Sequence, residues 1–269
     1  MKYDLQKIIS NLIPTIERAG KTIKELYLTN SYNTSLKHDL SPVTTADIES
    51  EKIIIEGLKM LTPNIPIISE ETPTPFVNSS YDYLWLIDPL DGTKGFIKKN
   101  GEFTINVALL FKDKPLLGVI HIPLTNHTYW GYKDDDKQKA AIRLYDGYEK
   151  ELIAPSNSIK NLTILESSAF PIHKYTKILP QHIKINKVMR IGSALKFCYL
   201  AENIGQMHVR HGPTMEWDIA AGHAILLAIG GNIVTFDLYE MQYNKKNYYN
   251  PSFIAFTPPL TVKNLSRTN

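Results

Sequence analysis

The sequence predicts an α/β protein whose first half is mainly antiparallel sheet with two N-terminal helices and whose second half alternates strands with helices. Three observations predict it: two apolar patterns at helical period near the N-terminus, apolar runs joined by very short connections in the middle, and strand–helix alternation after about residue 158. Residues 2–28 carry Leu5, Ile8, Ile9, Leu12, Ile13 and Ile16 at helical spacing, and Ile48 to Leu61 repeats the pattern with Ile53, Ile54, Leu58 and Leu61. Ile65-Pro66-Ile67-Ile68 and Tyr83-Leu84-Trp85-Leu86-Ile87 read as strands. Phe103 to Phe111, Leu116 to His121 and Thr128 to Tyr132 follow, separated only by Lys112 to Pro115 and Pro123 to Asn126. Strands joined this tightly run antiparallel. Lys133 to Lys137 reads as a solvated hairpin turn rather than a metal site.

The chain divides at this point into residues 1–157 and 158–269. The second part predicts a strand at Leu162 to Ser167, a helix at Ile172 to Leu179, a strand at Lys184 to Met189, a helix from Ser193, a strand at Gln206 to Val209, a helix from Trp217 and a strand at Asn232 to Phe236. That alternation indicates a more parallel sheet.

At 269 residues and 43% apolar content the chain is long enough to bury a full core. No apolar run reaches the length of a membrane span, and the opening residues form an amphipathic helix rather than a signal peptide, so a cytoplasmic location is expected. Cys198 is the only cysteine, which excludes an internal disulfide and a cysteine-based zinc cluster, and its apolar helical setting predicts a buried thiol. A net charge of +3 with dispersed lysines does not make a nucleic-acid groove, whereas a small anionic substrate suits it. Histidines 121, 127, 208 and 223 show no paired metal spacing.

Asp88-Pro89-Leu90-Asp91-Gly92-Thr93 follows directly on the Tyr83 to Ile87 strand. Two carboxylates three residues apart, across a proline and before a glycine, predict a sharp turn that aims Asp88, Asp91 and the Leu90 carbonyl at one spot. Hard oxygen ligands of this kind suit Mg²⁺. Gly92 allows close approach to a ligand, and Thr93 can cap a helix whose first N–H groups face a phosphate. Glu70-Glu71 ends a second strand, and alternation along an extended chain leaves one of the pair as the ligand. Thr44 and Asp47 fit a capping box before the second helix, and Asp218 falls in the first turn of the helix from Trp217, where an acid is expected from the helix dipole. Each acid has a structural reading beside its catalytic one.

Taken together, these segments resemble the Mg²⁺-dependent, lithium-sensitive phosphatases of the inositol monophosphatase superfamily. The resemblance rests on Glu70-Glu71, on Asp88 to Thr93, and on Trp217-Asp218-Ile219-Ala220-Ala221-Gly222, in that order, and extends from about Lys37 to Pro251. Its branch of bacterial 3'(2'),5'-bisphosphate nucleotidases is similar in Lys37 to Thr44, in Asn100-Gly101-Glu102-Phe103-Thr104, in Ile191-Gly192-Ser193-Ala194-Leu195-Lys196-Phe197-Cys198 and in Gly212-Pro213-Thr214. Gly95 departs from a glutamate common in that branch.

The resemblance implies a layered αβαβα sandwich of the inositol monophosphatase and fructose-1,6-bisphosphatase type, with the site between the halves. It implies two Mg²⁺ ions, one held by Glu70, Asp88 and the Leu90 carbonyl, the other by Asp88, Asp91 and Asp218. Thr93 with Asp47 would accept the proton from the attacking water, and a third metal near Asp47 and Glu70 is the competing role. The reaction implied is removal of the 3'-phosphate from adenosine 3',5'-bisphosphate, or from its 5'-phosphosulfate analogue. Gly192, Ser193 and Lys196 would clamp the 5'-phosphate, with Leu90, Asp91, Gly92, Thr93 and Asp218 around the scissile one. Ser193 as a mere cap and Lys196 as a solvated side chain is the alternative. Lys37, Asp39, Arg210 and His211 are rim candidates, and Ser156 to Pro180 is a candidate for the adenine side. A sugar or inositol phosphatase would keep the same ligands with a different substrate wall. A non-catalytic metal- or nucleotide-binding protein would be expected to lose a ligand, and none is missing. The resemblance also adds a peripheral position on the inner face of the cell membrane as an alternative location.

Overall fold

The computed structural model describes residues 3–37, 39–72, 81–134, 137–143, 147–154, 161–167 and 184–265. Helix α1 (Leu5–Thr29) starts at the Asp4 cap, whose carboxylate accepts the Lys7 N–H. It is followed by a small antiparallel pair, β1 (Thr34–Leu36) and β2 (Pro42–Thr44), and by α2 (Thr45–Leu61). The first sheet then forms from β3 (Ile67–Ser69), β4 (Tyr83–Asp91), β5 (Thr104–Phe111), β6 (Lys114–Ile122), β7 (His127–Lys133), β8 (Gln138–Arg143) and β9 (Glu149–Glu151), with the short helix α3 (Thr93–Ile97) between β4 and β5. All its pairings are antiparallel except β3 on β4, as the short connections predict.

The strands alternate side chains between two cores. Trp85, Ile87, Val107 and Leu109 pack with Leu12, Ile16, Ile54 and Leu58 of the two long helices, whereas Leu84, Leu86, Ala108 and Leu110 face the opposite way. The second sheet contains β10 (Asn161–Glu166), β11 (Lys184–Arg190), β12 (Met207–Arg210), β14 (Asn232–Thr235) and β16 (Phe253–Phe256), in the order β11-β10-β12-β16-β14. Between them in sequence lie α4 (Leu195–Ala201), β13 (Thr214–Met215), α5 (Glu216–Ala228) and β15 (Tyr249–Asn250), and α6 (Val262–Leu265) ends the described chain. Helices α4 and α5 share one core with the inner faces of both sheets, including Leu86 and Ala108 on one side and Leu165, Ile233 and Phe253 on the other. The expected helix at Ile172 to Leu179 lies outside the described residues.

The second sheet is less parallel than its alternation suggested. β10 pairs parallel with β11 and β12, but β16, which carries little sequence signal of its own, inserts antiparallel between β12 and β14. Helix α5 lies directly on the first sheet: a methyl group on Gly118 of β6 would stand 2.1 Å from the Ala221 carbonyl oxygen. Only glycine permits that approach.

Candidate active site

The site begins with an irregularity in β4. Asp88 pairs with Asn106 and Asp91 with Thr104, so Pro89 and Leu90 together face the single residue Ile105. The sharp turn expected at this hexapeptide is therefore a β-bulge inside a continuing strand. Pro89 has no N–H to offer the ladder, which is why the extra residue falls there. Ser50 of α2 donates its hydroxyl to the Pro89 carbonyl at 2.8 Å, and the Leu90 N–H donates to Asp88 Oδ1 at 3.1 Å. The bulge thus swings Asp88 and Asp91 out of strict alternation. Gly92 then takes φ +95° and is itself the N-cap of α3, with its Cα too near the Glu102 carbonyl for any side chain.

Thr93 is consequently the first helical residue and not the cap. Its hydroxyl hydrogen is shared between Asp47 Oδ1 at 3.0 Å and the Leu90 carbonyl at 3.2 Å. Asp47 does double duty. Its Oδ2 closes the expected capping box, accepting the Thr44 N–H at 2.8 Å and the Thr44 hydroxyl at 2.6 Å, and its Oδ1 is left for Thr93. Burial pushes the Asp47 carboxyl above the usual carboxylate range despite these bonds.

Glu70, Asp88 and Asp218 converge, each with a carboxylate oxygen within 4.8 Å of the others. Asp218 reaches this point from the first turn of α5, where its Oδ2 also accepts the Met215 N–H at 2.8 Å. Burial first, then the charges of neighbouring acids, pushes the Asp88 and Asp218 carboxyls well above their usual range. Three like charges brought together, one of them buried and two half-buried, are costly alone, and their hard oxygen donors fit a divalent cation. Asp91 stands beside them and accepts the Ala194 N–H and, at 3.4 Å, an Asn106 Nδ2 hydrogen. Burial raises its pKa, opposed by the neighbouring Lys196 ammonium.

Glu70 and Glu71 do not point to opposite sides as an extended pair would. β3 ends at Ser69, and the bend after it brings both carboxylates to Lys37 Nζ, at 2.7 Å each. Burial lowers the Lys37 ammonium, but these two charges outweigh it and hold the pKa above the usual value. Burial pushes Glu71 up to about 7.

Across from the bulge, Ile191 to Lys196 lead into α4. The helix begins later than the sequence suggested: Ser193 sits in the left-handed region at φ +49° and Ala194 is the N-cap. Ser193 and Lys196 therefore do not share a helical face. Instead the buried Lys196 curls back so that Nζ donates to the Ile191 carbonyl at 3.2 Å and to the Ser193 carbonyl, using two of its three hydrogens. Burial lowers its pKa to about 8, with Asp91 pulling the other way. Lys196 and Ser193 line a cavity of about 140 Å³ together with Asp91, Asp218, Arg210 and Thr214.

Other expectations resolve plainly. Asp39 holds the Ser41 N–H and hydroxyl, His211 Nδ1 pairs with the Ser252 hydroxyl, and Arg210 donates to the Pro213 carbonyl. His223 bonds Tyr243 and Asn232, and Cys198 is a buried free thiol. Most of Ser156 to Pro180 lies outside the described residues. Ser167 and Phe197, from the 156–180 segment and the 193–198 run, line the cavity; sequence reasoning passed over His208 and Phe253, because residues from separate strands carry no shared pattern.

The family model for the inositol monophosphatase family matches residues 4–261. A 3'(2'),5'-bisphosphate nucleotidase CysQ from Salmonella typhimurium strain LT2 is 39% identical over 224 residues, covering 81% of this chain and 86% of the relative. The crystal structure of CysQ from Bacteroides thetaiotaomicron, a bacterial member of the inositol monophosphatase family, superposes with a TM-score of 0.78 at 28% identity, covering 96% of this chain and 99% of that one. An IMPase/NADP phosphatase solved with Mg²⁺ and phosphate shares the fold at a TM-score of 0.76 and 18% identity, covering 98% of this chain and 97% of that one. With the acid-bearing bulge, the helix-borne aspartate and nearly the whole chain matched, the protein belongs to the inositol monophosphatase family.

Proposed function

We propose that this chain is a divalent-metal-dependent phosphomonoesterase, a 3'(2'),5'-bisphosphate nucleotidase that removes the 3'-phosphate of adenosine 3',5'-bisphosphate. The observation that carries the reading is the meeting of Glu70, Asp88 and Asp218, the last of which also lines a cavity together with Lys196 and Arg210. One side of the site is acidic and suits metal; the other is basic and suits a second anionic group.

Glu70, Asp88 and the Leu90 carbonyl would hold one Mg²⁺, and Asp88, Asp91 and Asp218 a second. Such ions supply charge neutralisation on the phosphoryl oxygens and an acidified water. The Thr93 hydrogen is committed to Asp47 and Leu90, so Thr93 Oγ1 presents lone pairs to accept a proton, which Asp47 Oδ1 takes in turn. A carboxyl raised by burial is better matched to that task than an ordinary aspartate. Both Asp47 oxygens already accept protein donors, which favours the relay over a third-metal role. Lys196 Nζ, with one hydrogen beyond its two loop carbonyls, and the Ser193 hydroxyl face the second phosphate.

A phosphate-release panel tests the reading, using adenosine 3',5'-bisphosphate, its 5'-phosphosulfate analogue and inositol 1-phosphate, each with and without Mg²⁺. Release from the nucleotides that requires Mg²⁺ is expected. Preference for inositol 1-phosphate would replace the nucleotidase reading with a sugar-phosphatase one.

A further inference from the structure

Glu102 lies outside the cavity, half-buried in the segment between α3 and β5, yet its carboxylate reaches the substrate loop. Glu102 Oε2 accepts the Gly192 N–H at 3.0 Å and an Asn100 Nδ2 hydrogen at 3.1 Å, while Asn100 Oδ1 holds the Glu102 N–H at 2.9 Å. Glycines on both sides allow the close approach. An added methyl on Gly192 would stand 2.7 Å from Glu102 Oε2, and one on Gly95 would stand 2.8 Å from the Glu102 carbonyl. The loop is therefore pinned twice, at Gly192 by Glu102 and at Ala194 by Asp91. Between the pins Ser193 is held in a left-handed conformation, and its carbonyl receives Lys196 Nζ. Asp91 is also a proposed metal ligand, so its grip serves two tasks. Glu102 has no such place among the metal ligands; its other bond is to Asn100.

We propose that Glu102 is a positioning residue that fixes the Gly192 to Lys196 loop and thereby sets the preference for substrates carrying a second anionic group. This rests on the nucleotidase reading above. The carboxylate is not part of the cavity lining; it fixes the backbone that aims the Ser193 hydroxyl and the Lys196 ammonium.

The test compares Glu102→Ala and Glu102→Gln with the natural protein on adenosine 3',5'-bisphosphate and on 3'-AMP, alongside amide hydrogen exchange over residues 191–196. Glutamine keeps a carbonyl acceptor for both donors but not the charge, so it should restore the loop's order and part of the activity that alanine loses. For Glu102→Ala we expect kcat/KM on the bisphosphate to fall on the order of tenfold to a hundredfold, mainly through KM, as for loss of a charge-assisted contact. Turnover of 3'-AMP should change by less than about threefold, and exchange at 191–196 should quicken in the alanine variant only. Equal losses on both substrates, or unchanged exchange in Glu102→Ala, would overturn the proposal. If the natural protein shows no preference for the bisphosphate, the substrate reading falls and the specificity role with it, while the exchange data still decide whether Glu102 pins the loop. Should the alanine variant not fold, Glu102→Asp decides by the same measurements. Its shorter reach loses Gly192, and wild-type selectivity in it would overturn the proposal.

Discussion

Asp47 and Thr93 lie 46 residues apart and are joined by a 3.0 Å hydrogen bond from the threonine hydroxyl to Asp47 Oδ1. The same aspartate caps α2 through its other oxygen, so a structural and a chemical task fall on separate atoms of one side chain. Replacing Thr93 with valine removes the hydroxyl and keeps the shape. We expect kcat to fall about a hundredfold or more, the usual size of a general-base contribution, with little change in melting temperature. Thr93→Ser should keep most of the activity. A valine variant within a few-fold of the natural protein would remove Thr93 from the proton path.

Asp88→Asn should abolish turnover and raise the stability of the metal-free protein. The Asp88 carboxyl has its pKa raised by burial and neighbouring acids, so the folded state binds the proton more tightly than the unfolded one. Stability of the metal-free protein therefore falls as pH rises from the ordinary aspartate range through the folded value, and the contribution is full only below that ordinary range. An amide removes that penalty at neutral pH. A gain of ~2–4 °C in melting temperature corresponds to ~1 kcal/mol in a chain of this size. A variant that melts lower than the natural protein without Mg²⁺ would contradict the repulsion described here.

The Mg²⁺ requirement should rise in acid. Protons and cations compete for Asp88 and Asp218, both of which hold protons at higher pH than a free aspartate. The Mg²⁺ concentration for half-maximal activity should increase as pH falls across the range in which the protein stays folded and active, by roughly up to tenfold per unit for each proton displaced. A constant requirement across that range would mean that the cation is held elsewhere.

Lys196→Ala should cost about 1–3 kcal/mol in kcat/KM on adenosine 3',5'-bisphosphate and much less on 3'-AMP, which has no second phosphate to hold. Because burial lowers the Lys196 pKa to about 8, the charged form is present below that value and lost above it. The selectivity of the natural protein should accordingly narrow as pH rises past 8. Equal losses on both nucleotides would make Lys196 a structural residue.

The parts of this molecule legible in the sequence are those fixed by neighbours in the chain. The Leu5 to Ile16 stripe, the Thr44–Asp47 box and the position of Asp218 in a helical first turn all follow from spacings of three or four residues. The β4 bulge was misread as a turn because a proline between two aspartates looks the same in either, and only pairing with Asn106 and Thr104 separates them. β16 was missed because a four-residue apolar run is ambiguous, and its antiparallel place between β12 and β14 is a long-range fact. Glu102 carried a motif but no visible task, since its partner Gly192 is ninety residues away.

The contact of Gly118 with Ala221 makes the sheet a mechanical stop for α5, and Asp218 lies less than one turn from that stop. A Cβ at residue 118 could be admitted only by moving α5 off the sheet, because the atoms it would meet first all belong to the helix backbone. Such a shift would carry Asp218 away from Glu70 and Asp88 without altering any acid. A substitution in the buried backbone of β6 would thus reach the acids at the head of α5 as well as the stability of the fold.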